Sequence, residues 1–262
     1  MVGQDVATHA YWPPDVSPST QKSADPWILV NSTPASCTQL GLFHAFTDRP
    51  KIDLLVSGPN FGRNSTAVFA LSSGTLGAAL EGACCSVNSI ALSFAFFDKI
   101  NDPAVVAQSC RQSVRVVEWL AANGQWDTGR VFSVNVPVKD GVERQKIVWT
   151  NMLQNTWKGG STFEEVEHAP VEDAETEEAK LRRQESQEGQ AKASDVDGQG
   201  KTQGTLTKRH FKWAPKFKDV YESVLAAGPG SDGWAVKEGQ TSVTALKANF
   251  MHVEGFAGEL KL

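Results

Sequence analysis

Asn60, Arg63 and Asn64 sit close together in the chain, and Ser73, Gly74 and Thr75 follow a short way on. These residue types suit the binding of an oxyanion. Amides and hydroxyls donate to phosphate oxygens, glycine lets backbone N–H groups approach, and a guanidinium forks onto phosphate. The amide oxygens of Asn60 and Asn64 are also hard neutral ligands of the kind that Mg²⁺, Mn²⁺ or Ca²⁺ accepts. The whole stretch lacks carboxylates and histidines. Acid–base chemistry would have to come from elsewhere in the chain. An ordinary βα turn uses the same Gly, Pro and Asn, so the residue types alone leave both readings open.

Position strengthens the functional reading and leaves the two readings level. Ile52-Asp53-Leu54-Leu55-Val56 reads as a strand, the Gly/Asn/Ser loop follows it, and a small-residue helix opens at Ser73-Gly74-Thr75 over residues 75–84. Ligands of open α/β sheets bind beyond the carboxyl ends of strands, where such a loop sits. A second loop, Asn31-Ser32-Thr33-Pro34-Ala35-Ser36, follows the apolar run Trp27-Ile28-Leu29-Val30 and would open on the same edge. Ser36 is placed to cap a helix through Leu40, Leu42, Phe43 and Phe46.

The pattern continues beyond the loop. Strands are expected around Ile90–Phe94, at Val131-Phe132-Ser133-Val134-Asn135-Val136 up to Pro137, and over residues 241–246. Asp102-Pro103 opens a helix with Val106, Cys110, Val114, Val117 and Leu120 as its apolar stripe, stopped at Gly124. Strands alternating with helices predict a doubly wound, mostly parallel sheet. Residues 1–26 read as loop-rich, 27–163 as the α/β core and 209–262 as the rest of the same domain. Residues 164–208 are dominated by charged and small polar side chains, and are expected to be a disordered acidic insertion.

A chain of 262 residues with 40% apolar residues can bury a sizeable core, and its net charge of −5 gives no reason to expect general nucleic-acid binding. No apolar run approaches the roughly 20 residues of a membrane span, and no signal peptide opens the chain. A soluble cytoplasmic protein is expected. The cysteines Cys37, Cys84, Cys85 and Cys110 match no zinc spacing, and buried thiols are expected rather than disulfides. The five histidines are scattered, with His44 read as structural, and the eight tryptophans as core and rim packing. Glu81, on the helix after Ser73, reads equally well as an exposed helix face. A dinucleotide oxidoreductase is disfavoured, because no Gly-x-Gly-x-x-Gly precedes an acidic ribose-binding residue.

Several segments together resemble the SurE survival-protein family. Asn31-Ser32-Thr33-Pro34-Ala35-Ser36-Cys37 through Gly41 is similar to its Gly-Thr-Pro-x-x-Cys-x-x-x-Gly segment. Ser57-Gly58-Pro59-Asn60, Asn64 and Ser73-Gly74-Thr75 resemble its Ser-Gly-x-Asn and Ser-Gly-Thr signature. Asn135-Val136-Pro137 and Glu238-Gly239 with Ser242-Val243-Thr244-Ala245-Leu246 match two further segments, Ala245 standing where the family usually has Pro. The Arg63-Asn64-Ser65-Thr66 variant, the charged insertion and residues 211–217 resemble the fungal branch, in which this domain is joined to a tubulin–tyrosine-ligase-like domain.

The resemblance implies a Rossmann-like fold and a metal-dependent phosphomonoesterase, a 5′/3′-nucleotidase or acid phosphatase using Mg²⁺ or Mn²⁺. Its substrates would be nucleoside monophosphates or small phosphomonoesters, and a homo-oligomer is compatible with it. Asn60 matches the family's metal-binding Asn. Asn64, Ser73 and Thr75 match positions lining the phosphate pocket, with Asn64 and Ser73 the catalytic candidates and Gly74 and Thr75 phosphate-binding. Arg63 has no family counterpart, so its phosphate role rests on its chemistry alone.

The family also begins with a strand ending in Asn-Asp-Asp-Gly, whose aspartates hold the metal, and this sequence contains no such tetrapeptide. The usual first strand is therefore expected to be missing, the start at Met1 to be an incomplete one, and turnover by these residues to be slight. The alternative is a non-catalytic nucleotide- or protein-binding module on the same scaffold.

Overall fold

The computed structural model describes residues 6–12, 26–96, 102–166 and 210–250. Two compact units divide the chain, one of Met1–Trp157 with Val220–Leu262 and one of Lys158–Asp219. In the smaller unit, β7 (Phe163–Val166) pairs antiparallel with β8 (His210–Trp213). Beyond Val166, the segment read as an acidic insertion lies outside the described residues.

The larger unit is built on a five-stranded sheet. Its strands in chain order are β3 (Leu54–Phe61), β4 (Asn88–Phe96), β5 (Arg130–Val138), β6 (Ile147–Trp149) and β9 (Thr241–Lys247). Their spatial order is β3-β4-β5-β9-β6. β3, β4 and β5 run parallel, β9 is antiparallel to β5, and β6 is parallel to β9. The sheet is mostly parallel, as the alternation of strands and helices implies.

The two faces of the sheet differ, which follows from the period-two pattern of the strands. Ile90, Leu92, Phe94, Phe132, Val134, Val136 and Val243 form an apolar face against Val116 and Leu120 of α4 (Pro103–Asn123). Each large side chain fully buried there contributes about 1.5–3 kcal/mol. Ala91 and Val131 face the other way, against Leu76, Ala79 and Ala83 of α3 (Gly74–Cys84), which follows the one-turn α2 (Ala67–Ala70). That second face also carries the polar positions Ser89, Ser93, Ser133 and Asn135, all buried. Helices on both faces make the sheet doubly wound.

Several boundaries differ from the sequence expectation. β2 (Trp27–Val30) does not enter the central sheet. It pairs antiparallel with β1 (Thr8–Tyr11), and Trp27 is left 64% exposed. The first helix, α1 (Pro34–Leu40), is capped by the Thr33 hydroxyl, which accepts from Ser36 N at 3.2 Å, so Thr33 and not Ser36 is the cap. A π-helical turn, Gly41–Ala45, continues it. The buried stripe of α4 runs through Ser109, Gln112, Ser113, Val116 and Leu120, while Val114 and Cys110 point outward. Of the expected stripe, Val106, Val117 and Leu120 pack on the core, and Cys110 and Val114 do not, because Ser109, Gln112 and Ser113 take the buried positions between them. All four cysteines are free, with Cys37, Cys84 and Cys110 exposed and Cys85 half-buried, so the expectation of buried thiols fails. Cys84 and Cys85 close the last turn of α3, where the helix leaves the sheet.

Candidate functional site

β3 extends further than its apolar run suggests, through Ser57-Gly58-Pro59-Asn60 to Phe61. Its pairing with β4 steps from Ser57↔Ala91 to Asn60↔Ser93, so β3 carries an extra residue there and bulges. Gly58 makes this bulge feasible. Its φ is +117°, and a Cβ would stand 2.2 Å from the Leu92 carbonyl oxygen.

The bulge brings Asn60 into register with a polar row. Asn60 pairs with Ser93, Ser93 with Asn135, and Asn135 with Ser242, across β3, β4, β5 and β9. Residues paired in this way share one face of the sheet. Ser93 and Asn135, in the carboxyl-terminal halves of β4 and β5, and Ser242, near the amino end of the antiparallel β9, are almost wholly buried. The loop after β3 folds onto the row. Asn64 N donates to Asn135 Oδ1 at 2.8 Å, and Asn64 Nδ2 donates to Ser93 Oγ at 2.6 Å. Asn60 Nδ2 donates to Gly62 O at 2.9 Å and reaches Asn64 Oδ1 at 3.5 Å. Asn135 Nδ2 and Ser242 Oγ are buried with no hydrogen-bond partner among the described residues. A buried donor left over in a satisfied network is an opening for a further acceptor.

Ser73 caps α3, its hydroxyl accepting from Leu76 N at 3.0 Å. Because β3 and β4 are parallel and α3 connects them, the N-terminus of α3 faces the same sheet edge as Asn60. Gly74 lies against the first helix, where a Cβ would stand 2.7 Å from Pro34 Cγ. The two loops expected on one edge therefore meet through Pro34 and Gly74. Thr75 is half-buried one residue further on. No hydrogen bond joins Ser73 or Thr75 to Asn60 or Asn64, so the edge carries two groups of residues side by side rather than one cluster.

Arg63 points to the short helix α5 (Phe217–Ala227). Its Nη2 donates to Tyr221 OH at 2.6 Å, and its guanidinium lies 4.8 Å from the Tyr221 ring centroid. Tyr221 thus holds the cation in place beside the loop.

Asp232 had no place among the sequence candidates. It opens α6 (Asp232–Lys237) and is 1% exposed. Its Oδ2 accepts from Thr66 N at 2.7 Å, and its Oδ1 from Leu153 N at 3.0 Å and Gly233 N at 2.7 Å. Burial pushes this carboxyl above the ordinary aspartate value of 3.8, against the backbone N–H groups that pull it down. Ser93 and Asn135, which bond to Asn64, were not among the sequence candidates either. Their signal was a polar residue at alternate positions of otherwise apolar strands, which an apolar-run reading passes over.

The described residues do not fit a divalent cation. Such an ion typically takes one or two carboxylates besides neutral oxygens. Among the described residues no group of three or more His, Cys, Asp or Glu side chains converges. Asp232, the carboxylate bonded to the loop that carries Asn64, has both oxygens engaged by backbone N–H groups. What the described residues of this edge offer is a set of neutral hydrogen-bonding groups.

Comparison with known proteins places the chain in a family. The profile of Survival protein SurE matches residues 2–159. The chain belongs to the SurE family. The 5′-nucleotidase SurE of Chlorobium chlorochromatii is 40% identical over 108 residues, 41% of this chain and 37% of that protein. The 5′-nucleotidase SurE of Methanoculleus marisnigri is 33% identical over 159 residues, 56% of this chain and 59% of that protein. A Saccharomyces cerevisiae protein named probable tubulin–tyrosine ligase PBY1 is 27% identical over 288 residues, 98% of this chain and 34% of that protein, which fits a fungal branch of SurE. The chain spans less than two thirds of the length of each of these relatives. The crystal structure of SurE from Aquifex aeolicus has a TM-score of 0.58 at 20% identity, covering 96% of this chain and 77% of that one. The mostly parallel α/β architecture is thus the SurE fold. Among the described residues no helix is long and apolar enough to cross a membrane.

Proposed function

We propose that this chain forms the phosphate-holding side of a SurE-type phosphomonoesterase site, taking nucleoside monophosphates or small phosphomonoesters, and that its 262 residues alone turn substrate over slowly if at all. The observation that carries this reading is the register row Asn60, Ser93 and Asn135 with Asn64 folded onto it and Asn135 Nδ2 left without a partner. Amide and backbone N–H groups donate to phosphate oxygens. The N-terminus of α3 adds the positive end of a helix dipole at the same edge. Arg63, held by Tyr221, supplies a cation beside the loop.

Hydrolysis needs more than this. A water must be activated and a leaving alkoxide stabilised, tasks that call for a general base, a metal or both. The described edge offers neutral donors and a committed Asp232. It can bind and orient the ester but lacks a group to take the proton from water. That is the physical basis for slow turnover, and it keeps the non-catalytic nucleotide-binding reading in play.

The test is turnover by the purified chain of p-nitrophenyl phosphate and of nucleoside monophosphates, with and without Mg²⁺ or Mn²⁺. Binding of the nucleotide with little or no turnover is expected. Robust metal-dependent hydrolysis would overturn the reading.

A further inference from the structure

Thr66 and Ser86 are the non-glycine residues at positive φ among the described residues. Thr66 has φ 70° and ψ 152°, a region that glycine occupies readily and a β-branched residue avoids. It is nevertheless 1% exposed and well held. Its N–H bonds to Asp232 Oδ2 at 2.7 Å, and its methyl packs on Gly233, where a Cβ would stand 3.0 Å from Thr66 Cγ2. The next N–H groups are held by the segment beside Asp232. Ala67 N donates to Leu153 O at 2.8 Å, and Val68 N to Asn155 Oδ1 at 3.2 Å. Leu153 N in turn donates to Asp232 Oδ1 at 3.0 Å.

An amide in its place could not do the same. Two backbone N–H groups meet one oxygen of Asp232 and a third meets the other. An asparagine would turn its NH₂ toward one of those donors. A buried carboxyl is costly, and here it stands where its oxygens hold the Thr66 peptide in one arrangement. Thr66 lies two positions from Asn64, so the peptide that Asp232 fixes determines how Asn64 meets Ser93 and Asn135.

We propose that Asp232 is a positioning residue for the phosphate site: its carboxylate latches Thr66 in a strained backbone conformation, and that conformation turns Asn64 into the row of Asn60, Ser93 and Asn135. The proposal rests on the reading of Asn64 as a phosphate contact. Without the latch, Thr66 relaxes to negative φ and Asn64 swings off Ser93. Glycine at position 66 adopts the latched conformation without strain, so it lessens the need for Asp232.

The experiment uses the full chain as wild type, Asp232→Asn, Thr66→Gly and the double variant. Two quantities are read: the Asn64 side-chain amide resonances in the free protein, and the Kd for inorganic phosphate. Asp232→Asn is expected to shift the Asn64 resonances and weaken phosphate binding tenfold or more. Thr66→Gly alone is expected to leave both near wild type, and the double variant to recover much of each. Unchanged Asn64 resonances in Asp232→Asn overturn the proposal. So does an equal loss in the single and double variants, which general destabilisation would give. A wild type that binds no phosphate defeats the phosphate reading instead, and the resonances still decide the latch. If Asp232→Asn does not fold, Asp232→Ser, which removes the misplaced NH₂ as well as the charge, takes its place in every arm.

Discussion

Asn64 Nδ2 donates to Ser93 Oγ at 2.6 Å, joining the loop after β3 to the middle of the sheet. The bond holds the Asn64 amide against strand β4 rather than leaving it to wander in a glycine-rich loop. Asn64→Ala should weaken phosphate or nucleotide binding at least tenfold, about 1.4 kcal/mol. It should also lower stability by about 1–3 kcal/mol, because Ser93 loses its partner in a buried place. Calorimetric titration and urea denaturation measure the two effects separately. Full retention of affinity would remove Asn64 from the site.

Gly58 should tolerate no side chain. With φ +117° and the Leu92 carbonyl oxygen 2.2 Å from where a Cβ would stand, alanine meets both strain and a backbone clash. Gly58→Ala should cost at least about 2 kcal/mol, since neither strand can yield without losing the bulge that sets Asn60 opposite Ser93. The shift in urea midpoint reads this directly. A change under about 0.5 kcal/mol would mean that the bulge is not fixed by this close approach.

Ser242 gives a prediction of opposite sign. Its hydroxyl is buried with no partner among the described residues, and an unsatisfied buried polar group costs about 1–3 kcal/mol. Ser242→Ala should therefore leave stability unchanged or raise it by about 1 kcal/mol in urea denaturation. A clear loss would show that a water or ligand oxygen completes the hydroxyl's hydrogen bonds.

The buried Asp232 carboxyl sets a pH dependence. Burial raises its pKa in the folded protein above the unfolded value, so the folded state holds this proton to higher pH than the unfolded chain does. Its ionised form therefore carries a stability penalty at neutral pH. The penalty is relieved as pH falls through the folded pKa and is gone below the unfolded value of about 4. Comparing wild type with Asp232→Asn by denaturation from pH 7 to pH 4, the difference in favour of wild type should widen as pH falls. A difference that narrows over this range would show that the backbone N–H groups outweigh burial.

Much of the fold was legible because its period-two and helical patterns are strong. Ile90, Leu92, Phe94, Val134 and Val136 announce their strands, and Asp102-Pro103 announces α4. Of the candidate site, the nearness of Asn60 to Asn64 and the helix opening at Ser73 were legible from turn chemistry. The rest depends on register and long-range contact. Nothing local places Trp27–Val30 outside the central sheet, because an apolar run looks alike in a hairpin and in a core. Ser93 and Asn135 matter because the bulge at Gly58 aligns them with Asn60. Asp232 is far from Thr66 in sequence, and only the folded chain brings its carboxylate to that N–H.

The central claim is that this edge holds a phosphate through neutral donors with Arg63 beside them, and that its described residues form no carboxylate set for a divalent cation. Calorimetric titration of a nucleoside monophosphate into the purified chain, once with Mn²⁺ and once with a chelator, tests it most directly. The account predicts binding whose Kd agrees between the two within about twofold, well inside the tenfold that 1.4 kcal/mol represents. A tenfold or greater gain in affinity with Mn²⁺, accompanied by release of inorganic phosphate, would contradict it.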